Sequence, residues 1–190
     1  MTNTENIVLK QLSREYAEEN AERLAVIASE IPGTSWTSEM VMAEEVPGES
    51  KQVPLLGKWR HSLVMEESEV PIALAIGYEV RNKDEISQAL HLGALACDRA
   101  YKGRKLGEHL LARFLKNAIE RGYVALSDTT MTFSLQTGAD PENVSVRHLY
   151  EKYGFVADHE IVKPDGVKNV VMIARQDDVE RAVTSNKDLV

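Results

Sequence analysis

The sequence predicts an α+β fold of six or seven strands and about four helices, and three observations carry that expectation. Three apolar, β-favouring runs follow one another at 58–66, 70–81 and 89–98, joined only by the polar links Glu67-Ser68-Glu69 and Asn82-Lys83-Asp84. A strongly periodic helix comes directly after the third run. Two further runs near the C-terminus face each other across Lys163-Pro164-Asp165-Gly166, a hairpin signal.

In chain order, Ile7 to Leu12 is a short strand candidate. Ser13, followed by Tyr16, Leu24, Ile27 and Ile31, reads as a capped amphipathic helix that stops at Pro32-Gly33. Ser35 to Val46 is expected to form a second short helix with Ser35 or Thr37 as cap. Pro47 to Gly57, with two prolines and two glycines, is expected to be loop and the best candidate for a lid. The three strand runs then form an antiparallel meander. From Gly103, the residues Leu106, Leu110, Leu111, Phe114, Leu115, Ala118 and Ile119 recur at three- and four-residue steps until Gly122, which makes this the clearest helix. Met131, Phe133 and Leu135 alternate, so a strand is placed near 130–137. Pro141 to Tyr153 is a helix with proline in its first turn and Gly154 at its end. Phe155 to Val162 and Val167 to Arg175 are the paired strands. Residues 176–190 are rich in charge and lack clear periodicity, so they are expected to be a mobile tail behind a single domain spanning 1–175.

The totals fit one compact domain: 190 residues, 43% hydrophobic. The 22 basic and 30 acidic side chains give a formal charge of -8, which repels nucleic-acid backbone and anionic membrane, so neither is expected as a partner. Cys97 is the only cysteine, which rules out an intrachain disulfide. The N-terminal MTNTENIVLKQL has neither the basic flank nor the apolar core of a signal peptide, and no run approaches the ~20 apolar residues of a membrane span. A cytoplasmic protein is the expectation. No close His, Cys or Asp spacing suggests a metal.

The chemistry-bearing unit is a strand ending at Cys97-Asp98, a turn from Arg99 to Gly103, and a helix starting near Arg104 to Gly107. A helix N-terminus presents unpaired N–H groups and the positive end of a dipole, and a basic, glycine-containing turn lets them close around a pyrophosphate. Lys102, Arg104 and Lys105 add charge there. By itself such a run also suits an ordinary solvated corner. A second pattern lies in Asn143 to Phe155, where Asn143, Val146, Leu149 and Tyr150 share a helix face. Alone, it also suits an amphipathic helix whose tyrosine is core.

Taken together, the two segments resemble the GNAT acetyltransferase superfamily. Its coenzyme A motif, Q/R-x-x-G-x-G/A after a strand, is similar to Lys102-Gly103-Arg104-Lys105-Leu106-Gly107, with Lys102 for Arg or Gln and Lys105 for the middle glycine. Its later motif, N-x-x-A-x-x-L-Y-x-x-x-G-F, matches at Asn143, Leu149, Tyr150, Gly154 and Phe155, with Val146 for alanine. The element order agrees from Ile7 to Arg175. His91 to Lys102 is further similar to the matching strand of arylalkylamine N-acetyltransferases, which carry two histidines there; His91 matches the first and Gly93 stands at the second.

The resemblance implies a mixed, mostly antiparallel sheet and acetyl-CoA as cosubstrate, with direct transfer to a primary amine, and no metal. It assigns Lys102 to Gly107 and Asn143 to the cofactor, Tyr150 to the thioester sulfur as general acid, and the backbone of Leu95, Ala96 and Cys97 to the pantetheine arm and carbonyl oxygen. For the base, His91 has a suitable ordinary pKa near ~6.5; Glu66, Glu67 and Glu79, on neighbouring strands, remain alternatives. Cys97 reads as a small core residue rather than a nucleophile. Trp36 reads as a core anchor, with contact to an apolar acceptor as the alternative. A small-molecule or amino-acid-derived amine is the expected acceptor. A protein or peptide amine, and a catalytically silent acyl-CoA sensor, are the rivals. A homodimer through the late strands is implied by resemblance only.

Overall fold

The computed structural model describes residues 6–45, 54–81, 88–121, 132–138, 144–162, 166 and 168–186. One seven-stranded sheet runs through them in the order β1-β2-β3-β4-β5-β7-β6. The strands are β1 (Ile7–Gln11), β2 (Leu63–Glu67), β3 (Val70–Arg81), β4 (Gln88–Cys97), β5 (Thr132–Gly138), β6 (Val156–Val162) and β7 (Lys168–Arg175). The pair β4/β5 is parallel and the other adjacent pairs are antiparallel, so the sheet is mixed and mostly antiparallel.

Among the described residues six α-helices accompany the sheet: α1 (Arg14–Ala28), α2 (Ser38–Met42), α3 (Lys58–His61), α4 (Leu106–Glu120), α5 (Val144–Lys152) and α6 (Gln176–Ser185). Ser13 caps α1 by accepting from the Tyr16 N–H at 3.1 Å, and Thr37 caps α2 by accepting from Met40 at 3.3 Å. One face of the sheet buries Val64, Leu74, Ile76, Ala94 and Ala96 against Leu24, Ile27 and Ala28 of α1 and Val41 of α2. Trp36 packs at the edge of this cluster, as expected of a core anchor. The opposite face buries Leu90, Leu92, Met172 and Ala174 against Leu106, Leu110, Phe114 and Leu115 of α4, with Tyr150, Tyr153 and Phe155. The 3.6-residue repeat that marks α4 in the sequence is the stripe that makes this contact.

Two expectations are corrected. Lys58 to His61 is not strand but one helical turn, and β2 starts only at Leu63. The cause is local and tertiary together: Gly57 enters with φ +65, and the Lys58 side chain turns inward, donating from Nζ to the carbonyls of Val41, at 2.6 Å, and Ala43 at the end of α2. Residues 176–185 are not a tail but α6, whose Val179 and Val183 lie four apart and are buried in the α4 cluster. Asp177 and Asp178 stand in its first turn, where they favour the helix dipole. Val46 to Val53, Gly122 to Met131, Ala139 to Asn143 and the hairpin turn Lys163-Pro164-Asp165 lie outside the described residues, and with them most of the expected lid, the Gly122 stop, Pro141 and Asn143.

Candidate active site

The site begins with a break in pairing. β4 follows β5 only from Ala89 to Leu92, opposite Thr132 to Leu135; beyond that, Gln136 to Gly138 pair with β7 alone. The two central strands therefore diverge, and among the described residues no strand pairs with this edge of β4 from Gly93 onward. The divergence coincides with a bulge: Gly77 opposes Leu92 and Ile76 opposes Ala94, which leaves Gly93 as the extra residue. The bulge also reverses the alternation, so Leu92 and Leu95 both join the α4 cluster.

The direction of the backbone groups on that edge follows from one bond. The Asp98 N–H donates to Ile72 O of β3 at 2.8 Å. Successive residues of a strand point their polar groups to opposite sides, so Ala96 also faces β3 while Leu95 and Cys97 present N–H and C=O to the open edge. Of the three residues expected to hold a ligand through their backbone, two are so oriented. Ala96 is the exception: its amide belongs to the β3 ladder and its methyl to the α1 cluster.

After Cys97 the chain makes a 3-10 turn over Arg99–Tyr101, started by Asp98, whose carboxylate accepts from the Ala100 N–H at 2.8 Å. That bond, with Arg23 beside it, holds the Asp98 carboxyl below its ordinary range. Gly103 follows at φ +82 and Lys105 at φ +59, and α4 starts on Leu106. The first intrahelical bond is His109 N–H to Lys105 O, so the amides of Leu106, Gly107 and Glu108 have no intrahelical acceptor; Lys105, at the N-cap, supplies no side-chain cap. Among the described residues nothing lies within 4 Å of a Cβ built at Gly103 or Gly107, so none of them fills the space at the helix start. These features suit an anionic group.

The cations of the turn are not idle. Arg99 pairs with Glu30 at 3.2 Å and Lys102 with the same carboxylate at 3.8 Å, while Arg104 lies 3.8 Å from Glu67. Glu67 also accepts from the Tyr101 hydroxyl at 2.5 Å, and Arg104 sits over the Tyr101 ring. Glu30 carries no motif, so its role in holding the turn to the end of α1 was not legible in the sequence.

Tyr150 is 6% exposed, its ring 6.0 Å from that of Phe155. Burial pushes its phenol up to about 12, so it keeps its proton at neutral pH. His91 is half-buried on the α1 face of β4, and burial pulls its imidazole down to about 4, so it is neutral near pH 7. Directly opposite, on β3, stands Tyr78, its ring 5.1 Å from that of His91. Sequence reasoning missed this residue; its signal is Gly93, whose missing side chain leaves room for the Tyr78 ring.

The carboxylate candidates lie elsewhere. Glu66 is 3% exposed and binds Lys10 and the Tyr16 hydroxyl, at 2.8 Å to the latter; the Lys10 bond above all keeps it ionised below the ordinary range. Its partner on β3 is Pro71, whereas that of His91 is Tyr78, roughly 23 Å further along an extended strand. The structure therefore does not bring Glu66 to His91. Glu79 is buried on the face that carries Phe114 and pairs with Arg60 and with His61, at 3.2 Å. Burial raises the Cys97 thiol to about 11, so its sulfur is protonated at neutral pH. Among the described residues no group of three His, Cys, Asp or Glu could hold a metal ion, and no helix is long and apolar enough to cross a membrane.

The Acetyltransferase (GNAT) family model matches residues 24–155, from α1 through the open edge and the basic turn to the end of α5. The chain belongs to the GNAT family. No curated protein matches the chain in sequence. Among solved structures, it is similar to a chain of the NatC complex bound to Gag peptide and CoA, with 14% identity, 90% of this chain and 98% of that one covered, and a TM-score of 0.68. Ard1 from Thermoplasma volcanium aligns over 90% of this chain and 97% of its own, at 16% identity and a TM-score of 0.65. The protein yncA from Salmonella typhimurium, solved with its cofactor acetyl-CoA, aligns over 90% of this chain and 94% of its own at 14% identity and a TM-score of 0.60. At these identities the likeness concerns the GNAT fold, and it extends over 90% of this chain.

Proposed function

We propose that this GNAT protein transfers an acetyl group from acetyl-CoA directly to a primary amine, and that a small molecule or amino-acid derivative is the acceptor. The observation that carries the reading is the open β4 edge leading straight into an uncapped, basic helix N-terminus. This arrangement fits a ligand with an amide-bearing arm and a pyrophosphate: the edge pairs with amides, and the helix start with phosphate.

Bound there, acetyl-CoA supplies an activated acyl group. The α4 amides of Leu106 to Glu108, with Lys102, Arg104 and Lys105, hold the phosphates. The N–H groups of Leu95 and Cys97 hold the arm and meet the carbonyl oxygen as negative charge develops on it. Tyr150, protonated throughout the physiological range, donates to the departing sulfur. His91 is too weak a base to deprotonate a free ammonium, so the acceptor gives that proton to solvent and attacks as the neutral amine. The attacking nitrogen becomes strongly acidic only once its bond to carbon forms, and a neutral imidazole then takes that proton, directly or through water. Asn143 is retained as a cofactor ligand on the motif alone. Glu66 has no part in this scheme.

A peptide amine is the second reading, favoured by the fold likeness to the NatC chain solved with a peptide. The deciding experiment is thiol release from acetyl-CoA with arylalkylamines, polyamines, amino acids, and peptides that carry a free N-terminus or a lysine, with Tyr150→Phe alongside. Turnover on one class, slowed at least tenfold by Tyr150→Phe, supports transfer and names the acceptor. CoA binding without turnover on any class refutes it in favour of an acyl-CoA sensor.

A further inference from the structure

Three features meet at the point where β4 leaves β5. Tyr78 lies opposite His91, both are half-buried, and their rings stand 5.1 Å apart on one face of the sheet. A Cβ built on Gly93 would come within 2.7 Å of Tyr78 Cε1, so the ring of Tyr78 reaches across from β3 and lies over the backbone of Gly93. Gly93 is the bulge residue and the first on β4 beyond the β5 ladder. The phenol oxygen is two bonds from Cε1, which keeps it close to Gly93, the residue at which the β4/β5 ladder has ended. Among the described residues no hydrogen bond engages this hydroxyl, and it is not one of the polar atoms sealed from solvent.

We infer that Tyr78 is an acceptor-binding residue: its hydroxyl hydrogen-bonds the incoming primary amine beside His91, and its ring, seated on Gly93, forms the floor on which the amine rests. The inference rests on the transfer reading above and adds to it the residue that receives the acceptor. A neutral phenol and a neutral imidazole place no positive charge against an arriving ammonium, and the face of an aromatic ring attracts a cation. Burial holds the Tyr78 phenol above its ordinary range, so it stays a neutral donor and acceptor through neutral pH. Tyr78 and Gly93 act as one unit, because any side chain at 93 would displace the ring.

The test uses the full chain, acetyl-CoA, and three amines: phenethylamine, spermidine, and the peptide Met-Ala-Leu-Phe with a free N-terminus. Tyr78→Phe keeps the ring and removes only the oxygen. It is expected to raise KM for the amine turned over fastest by roughly five- to tenfold, the worth of one hydrogen bond. Its kcat should stay within about twofold, and its CoA affinity and melting temperature should match the parent, a split that a purely structural role would not give. Gly93→Ala is expected to raise the same KM at least as much by pushing the ring aside. Parental KM in Tyr78→Phe overturns the assignment of Tyr78 and leaves the transfer reading standing. No thiol release by the parent chain with any acceptor class, amino acids and lysine-bearing peptides included, overturns both.

Discussion

Lys105 stands in the left-handed region at φ +59, one of few side-chain-bearing residues so placed among those described, and it does so where the family motif has glycine. That backbone costs a residue with a Cβ on the order of 1 kcal/mol. Lys105→Gly is therefore expected to stabilise the fold by about that amount, read as a higher melting temperature, even though glycine elsewhere destabilises a helix start. His91 gives a prediction of opposite kind. Its folded-state pKa, about 4, lies below the ordinary 6.5, so the unfolded chain takes up the proton first as pH falls. The stability associated with the neutral ring is fully present above pH 6.5 and is lost between pH 6.5 and 4, by on the order of 3 kcal/mol. Thermal melts of His91→Gln should show a shallower fall across that window than the parent. For the same reason kcat/KM should show no inflection near pH 6.5 from this residue.

Helix α4 and helix α6 sit against each other, yet only one could be read in advance. In α4 the leucines recur so regularly that both its existence and its buried face follow from spacing; Leu111→Ala, at a site with 0% exposure, is expected to cost about 3 kcal/mol in chemical denaturation. In α6 only Val179 and Val183 are fully committed, and eight polar or small neighbours dilute the pattern below recognition. Val179→Asp should lower the melting temperature by several degrees while Thr184→Asp, on the exposed side, leaves it unchanged; equal effects would mean the helix is not docked. The meander, the hairpin and the turn before α4 were legible because alternation and turn chemistry are local. The inward Lys58 was not, since its carbonyl partners lie 15 and 17 residues away and nothing in a lysine announces burial. The site divides along the same line: the motif marks Lys102 to Gly107 and Tyr150, whereas the neighbours of Tyr78, Glu30 and Glu66 are supplied only by the folded chain, which sets Tyr78 opposite His91, Glu30 against the turn, and Glu66 beside Lys10 and Tyr16.

Over the whole molecule, a formal charge of -8 surrounds a turn that must attract an anion if the proposed function holds. Glu30 sharpens the conflict by pairing with both Arg99 and Lys102. Glu30→Gln is expected to tighten CoA binding several-fold at low ionic strength, with the gain shrinking as salt rises past about 0.15 M. The divergence of β4 from β5 carries a further consequence, one of solubility. Among the described residues it leaves a row of unpaired strand groups in the interior of a sheet rather than at its rim, and such a row can add the backbone of any extended segment that reaches it, from another chain as readily as from a cofactor arm. A molecule lying along Leu95 and Cys97 would then guard the protein against self-association while it waits to react. Light scattering during mild heating should rise later with CoA present than without it, and by more than the shift in melting temperature explains.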